Sequence, residues 1–236
     1  MADTGGSLLG VALDGAGVIY ACDAGLKAVV AINPASSDVT ELSRGVSERA
    51  MVEPNGIAFD ASGNLYVTDS GHWGGADGIV FRVSPQGETS VWTREAARFP
   101  NGCLVVGGKL LVIESELPGL SEIDLRADGT AGPVRELFRF RGCVPDQFAL
   151  DTAGNLMLGC YRPDRLLWVA PDGSTRTLAE DPSGMTLMAP TGCTFAGPRL
   201  ETLVCTNFGG HELLRLPADV PGASLLKPRR DQLPGR

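Results

Sequence analysis

A phrase that opens on proline recurs along this chain at an almost constant step. It reads EPNGIAFDASGNLYVTDSG, then FPNGCLVVGGKLLVIES, then VPDQFALDTAGNLMLGCY, then APTGCTFAGPRLETLVCTN. The prolines are Pro54, Pro100, Pro145 and Pro190, spaced 46, 45 and 45 residues apart. A degenerate first copy, LLGVALDGAGVIYACDAG, sits one step before Pro54. A fixed period of this length means that one supersecondary unit is repeated, so the architecture is built from stacked copies.

Each unit reads as short strands divided by turn residues. In the second copy Gly56–Phe59 is apolar, Asp60–Asn64 is a tight turn, and Leu65–Thr68 is apolar and β-branched. The polar loop Asp69–Asp77 follows, then a third strand Gly78–Val83, the turn Ser84–Gly87 and a fourth strand Glu88–Thr93. Four antiparallel strands in about 45 residues make the blade of a β-propeller. Helical repeats would need apolar stripes at i, i+3 and i+4 without interrupting glycines, and the chain's 31 glycines and 16 prolines break every such stripe. The expected fold is all-β: one β-propeller domain over residues 1–236, with five recognisable four-stranded blades. The repeats run over about 8–53, 54–99, 100–144, 145–189 and 190–236.

Charge and composition narrow the partners. Twenty basic against 28 acidic residues leave a formal charge of -8, which disfavours binding to a phosphate backbone or to anionic lipid. No apolar run approaches the roughly 18 residues of a membrane-spanning helix, and no basic stretch precedes the first apolar run. The expected partner is a small-molecule substrate, with neither nucleic acid nor membrane, and the expected location is cytoplasmic. Six cysteines lie far apart with no C-x-x-C pair, and their apolar surroundings read as buried free thiols.

A meander returns to its starting end after every second strand. Asn55, Asn101, Asp146 and Thr191, each next to a repeat proline, therefore share a face with the loops after the second strands: Asp69–Asp77, Glu114–Gly119, Cys160–Asp164 and Asn207–Gly210. Asn, Asn, Asp and Thr vary from copy to copy while the proline is kept. Oxygen donors gathered around a channel mouth suit a hard divalent cation, calcium above all, with Zn2+, Mn2+ or Mg2+ as alternatives. The only two histidines, His72 and His211, lie in loops of this face, and Trp73 beside His72 is placed to wall a ligand or to pack between blades. No G-x-S-x-G or H-E-x-x-H is present, and the glycines around Trp73 precede no helix that would receive a phosphate.

The order of the variants P-N-G-I-A, P-N-G-C, P-D-Q-F-A-L-D and P-T-G-C-T-F, from about Leu8 to about Leu216, resembles the senescence-marker/gluconolactonase family of β-propellers. That resemblance implies a six-bladed plan, a divalent cation in the central channel and, in many members, lactone hydrolysis. It implies Asn101 and Asp146 as metal ligands, Asp146 also as catalytic base, and Asn55 as a substrate contact; His72 and Trp73 are further candidates for substrate binding. The family's first blade, which opens on a metal-binding Glu in a Glu-Gly-Pro or Glu-Ser-Pro phrase, has no counterpart here. The expectation is either a start downstream of the native one or a five-bladed relative with a reduced metal site. Sister groups such as strictosidine-synthase-like and streptogramin-lyase-like enzymes share the blades, and a non-catalytic binding propeller is the other alternative. The C-terminal segment Pro217–Arg236 is expected to help cover the open seam, with Ala223–Leu226 as its only strand-like apolar run, and the basic tail Lys227–Arg230 to stay loose.

Overall fold

The computed structural model describes residues 2–229, and every regular element among them is a β-strand. The first sheet holds β1 (Leu8–Leu13), β2 (Ile19–Asp23), β3 (Ala28–Ile32) and β4 (Val39–Ser43). A hairpin of β5 (Gly45–Val46) and β6 (Arg49–Ala50) leads to the second sheet, β7 (Pro54–Phe59), β8 (Leu65–Asp69), β9 (Ile79–Val83) and β10 (Thr89–Thr93). The third contains β11 (Pro100–Val106), β12 (Lys109–Glu114), β13 (Gly119–Leu125) and β14 (Ala131–Arg139). The fourth contains β15 (Val144–Leu150), β16 (Leu156–Arg162), β17 (Arg165–Val169) and β18 (Thr175–Glu180), and the fifth β19 (Pro190–Ala196), β20 (Thr202–Asn207) and β21 (Leu213–Pro217). Within each sheet, consecutive strands are neighbours, so these are the five blades of a β-propeller; among the described residues the fifth has three strands.

The chain divides into two compact units. One comprises the residues up to Glu116, Ser121–Arg135 and the segment from Leu225; the other comprises Leu117–Leu120 and Glu136–Ser224.

In the first unit, period-two alternation gives the second blade two apolar faces. Ile57, Val67 and Phe81 pack with Tyr20, Cys22 and Val29 of the first blade, while Ala58, Tyr66 and Val80 pack with Cys103, Leu110 and Val112 of the third. Each large side chain buried this way contributes about 1.5–3 kcal/mol. In the second unit, Ala149, Met157 and Leu166 of the fourth blade pack with Leu203 and Cys205 of the fifth. Inner strands approach closely: a Cβ on Gly56 would stand 2.4 Å from the Asn101 carbonyl oxygen, so only glycine fits there.

One turn recurs between the first and second strands of two blades, at the end of each blade opposite its repeat proline. Asp60 Oδ1 accepts the amides of Ser62 and Asn64 at 2.8 and 2.9 Å, and its Oδ2 accepts Asn64 Nδ2 at 2.7 Å. Asp151 does the same for Ala153, Asn155 and Asn155 Nδ2 at 2.9, 2.8 and 2.7 Å. The D-x-x-G-N phrase is thus turn chemistry, as its sequence predicts.

The C-terminal segment differs from expectation. Ala223–Leu226 forms no strand; Gly222 bridges Asp151, and the Ala223 amide donates to the Leu150 carbonyl at 2.8 Å. Lys227–Arg229 is not loose but lies on the turns of the first unit, where the Gly15 amide donates to the Pro228 carbonyl at 3.1 Å. Arg230 lies outside the described residues.

Candidate functional site

The four repeat prolines pair across to the second strands, Pro54 with Asp69, Pro100 with Glu114 and Pro190 with Asn207 at the strand ends, and Pro145 with Cys160 two residues before the end of β16. This register sets two positions per blade: the residue after the proline and the residue after its partner. In the first unit these are Asn55 with Ser70 and Asn101 with Ser115. Asn55 Nδ2 donates to Ser70 Oγ at 3.1 Å, and Asn101 Nδ2 donates to Ser115 Oγ at 3.2 Å. Ser70 Oγ in turn donates to the Pro100 carbonyl at 2.8 Å, and Thr68 Oγ1 donates to the Asn101 carbonyl at 2.6 Å, so the second blade holds the inner strand of the third.

All four side chains are buried, and Asn101 Oδ1 has no hydrogen-bond partner. Leaving such an acceptor unmet costs about 1–3 kcal/mol. A buried amide oxygen turned away from its own serine has the chemistry of a hard-cation ligand, so Asn101 fits the cation expected from the sequence.

The carboxylates at the ends of the second strands are structural. Asp69 accepts the amides of Val52 and Glu53 at 2.7 and 2.9 Å, and Glu114 accepts that of Arg98 at 2.9 Å. Each ties down the loop entering its blade. Glu53 is half-buried, and that burial, followed by the nearby Asp69 charge, pushes its carboxyl above the usual range, with His72 acting in the opposite direction.

His72 and Trp73 occupy the loop after β8. His72 Nδ1 lies 2.8 Å from Asp77 Oδ2, and the His72 amide donates to Asp77 Oδ1 at 3.0 Å; these bonds hold the Asp77 carboxyl below the usual range. Trp73 is 60% exposed and meets Phe99 edge to face, with ring centroids 4.9 Å apart. Phe99 is two residues upstream of Asn101, and the Gly74 amide donates to Glu116, so the loop is fastened beside the strand that carries Asn101.

In the second unit, Asp146 follows Pro145 on β15 and is half-buried. Thr191 follows Pro190, and its Oγ1 lies 2.9 Å from Thr206 Oγ1. The positions matching Ser70 and Ser115 carry Tyr161 and Phe208, whose rings meet edge to face with centroids 5.9 Å apart. The serines and this aromatic pair escaped the sequence reading because only the strand register sets them opposite the residues after each proline. His211 is exposed. Among the described residues no three His, Cys, Asp or Glu side chains gather as a metal site, and no helix is long and apolar enough to cross a membrane. The expected donor set mixes amide and carboxylate oxygens.

The six thiols are free, and five of them are buried; Cys193, half-buried, lies with its Sγ 3.1 Å from Cys205 Sγ.

Comparison with known proteins gives the fold a family. A gluconolactonase from Xanthomonas campestris superposes with a TM-score of 0.74 at 20% identity, over 91% of this chain and 72% of its own. A luciferin-regenerating enzyme gives 0.72 at 17% identity over 94% and 81%, and a chain of a nidogen/laminin complex gives 0.71 at 19% over 94% and 80%. A search of curated proteins finds no match. The model of the SMP-30/gluconolactonase/LRE-like region matches residues 2–208, nearly the whole repeat array, and the chain belongs to that family.

Proposed function

We propose that the chain is a divalent-cation-dependent hydrolase of a small lactone or related cyclic ester. The observation that supports this most is the buried, unpartnered Oδ1 of Asn101 in a propeller of this family. Asn101 and Asp146 would hold the cation, calcium by preference, with water and substrate completing the six to eight oxygens such an ion takes. When bound, the ion polarises the lactone carbonyl and lowers the pKa of water.

The chain's own groups carry the other steps. Asp146 takes the proton from water as its oxygen attacks the carbonyl carbon, then returns it to the leaving ring oxygen as the C–O bond breaks. The Asn55 amide, held by Ser70, orients a substrate hydroxyl or carbonyl. His72 and Trp73 border the substrate from the loop fastened beside Asn101. The test is lactone opening followed by pH-stat, with and without excess chelator. Opening that depends on added calcium supports the reading; full activity in chelator removes the cation, and no opening across a broad lactone panel favours a binding propeller.

A further inference from the structure

We propose that Tyr161 and Phe208 form a wall that receives an aromatic ring of the substrate, so that the lactone taken by this chain carries an aryl group rather than a polyhydroxylated chain. The inference rests on the lactonase reading and names the substrate class for that site.

The argument starts from register. The position one residue past the proline's partner is Ser70 and Ser115 in the second and third blades, where the hydroxyl accepts the amide of Asn55 or Asn101. In the fourth and fifth blades the same position is Tyr161 and Phe208, matching Asp146 and Thr191. The Phe208 ring accepts no such bond, and Thr191 meets Thr206 instead. The rim of the second unit has thus exchanged small polar groups for rings at the positions corresponding to the proposed base.

Phe208 stands largely outside the core. Phe208 is 67% exposed, and its ring meets Tyr161 edge to face. Tyr161 also carries Arg162, whose guanidinium lies over the ring 4.9 Å from its centroid and is held by Asp164 at 2.9 Å. A braced ring beside an exposed one is a preorganised apolar surface, which gains on covering by another ring and offers little to a sugar hydroxyl.

The experiment compares kcat/KM for dihydrocoumarin, an aryl lactone, and glucono-1,5-lactone, in the parent chain, Phe208→Ser and Tyr161→Ser. The expected result is a parent preference for dihydrocoumarin and an aryl-to-sugar ratio lowered about tenfold by each variant, the size of one aromatic contact. Saturation-transfer NMR with chroman, the ring lacking the ester carbonyl, reads the wall without turnover. Chroman should bind the parent and lose its signal in Phe208→Ser, a substitution at an exposed position that a melting curve confirms as folded. A parent preference for the sugar lactone, an unchanged ratio in Phe208→Ser, or no chroman signal overturns the wall. Chroman binding that depends on Phe208 while no lactone is opened keeps the wall and removes the lactonase reading instead.

Discussion

Asn101 donates from Nδ2 to Ser115 Oγ at 3.2 Å and leaves its Oδ1 buried without a partner. The serine fixes which end of the amide is spent, so the acceptor end is the one held ready. Divalent cation should therefore raise the melting temperature of the parent chain, since a ligand at 100 times its Kd adds about 2.7 kcal/mol. In Asn101→Ala the calcium-induced shift should vanish, while the cation-free protein melts within a few degrees of the parent. Differential scanning fluorimetry with calcium and with chelator reads both; an undiminished calcium shift in the variant would exclude Asn101 as a ligand.

Asp146→Asn should lower turnover about 10²–10⁴-fold, the usual contribution of a general base. The amide nearly matches the carboxylate in volume and Asp146 is only half-buried, so the melting temperature should move little. Unchanged turnover per folded molecule together with a large fall in melting temperature would make Asp146 a packing residue.

Asp151, five residues on in the same blade, should behave in the opposite way. It is 1% exposed and accepts three hydrogen bonds at 2.7–2.9 Å that close its turn. Asp151→Ala should cost about 3 kcal/mol in urea unfolding, because charged acceptors lose about 1.5–3 kcal/mol per bond and the turn amides are left unmet. Activity per folded molecule should remain. The two aspartates separate a catalytic from a turn-making role within one strand and its turn.

Much of this was legible without coordinates, and the reason is the repeat. A 45-residue step with turn residues at constant offsets leaves few architectures, and it aligns Asn55, Asn101, Asp146 and Thr191 without any structure. What escaped depends on long-range pairing. Ser70 and Ser115 become partners of the asparagines only through the bulged register opposite each proline, and nothing local to Asp69-Ser70 announces it. The tail escaped for a different reason: Lys227–Arg229 has no apolar pattern, and its position follows from the Gly15 amide donating to the Pro228 carbonyl.

Tyr66 sets an alkaline limit. It is 2% exposed with its Oη 3.3 Å from Asp60 Oδ2, and burial, followed by the Asp60 charge, pushes its phenol well above the usual value near 10. A raised folded-state value means that the stabilising contribution is complete below the unfolded value and is lost as pH rises through the folded one. The Tyr66 component of tyrosinate absorbance should therefore appear only as circular dichroism reports unfolding. In Tyr66→Phe that component should disappear and the alkaline midpoint should move upward; free titration of all three tyrosines in folded protein would contradict this.

Glu53 extends the same argument to acid. Its half-buried side chain lies near the fully buried Asp69, whose oxygens are occupied by the amides of Val52 and Glu53 itself. Burial first, and the Asp69 charge second, raise its carboxyl above the ordinary value of about 4.3. The folded chain then holds this proton more tightly than the unfolded chain. The resulting stabilisation is present below the unfolded value and is lost as pH climbs through the folded one. At pH 7 the ionised carboxylate opposes folding relative to a neutral group of the same shape, so Glu53→Gln should melt higher than the parent. The gain should shrink as pH falls and disappear below about pH 4, where both side chains are neutral. Melting curves of the two proteins from pH 7 down to pH 4 measure it, and a variant that is less stable at pH 7 would show that the Glu53 carboxylate is held by favourable contacts stronger than its burial.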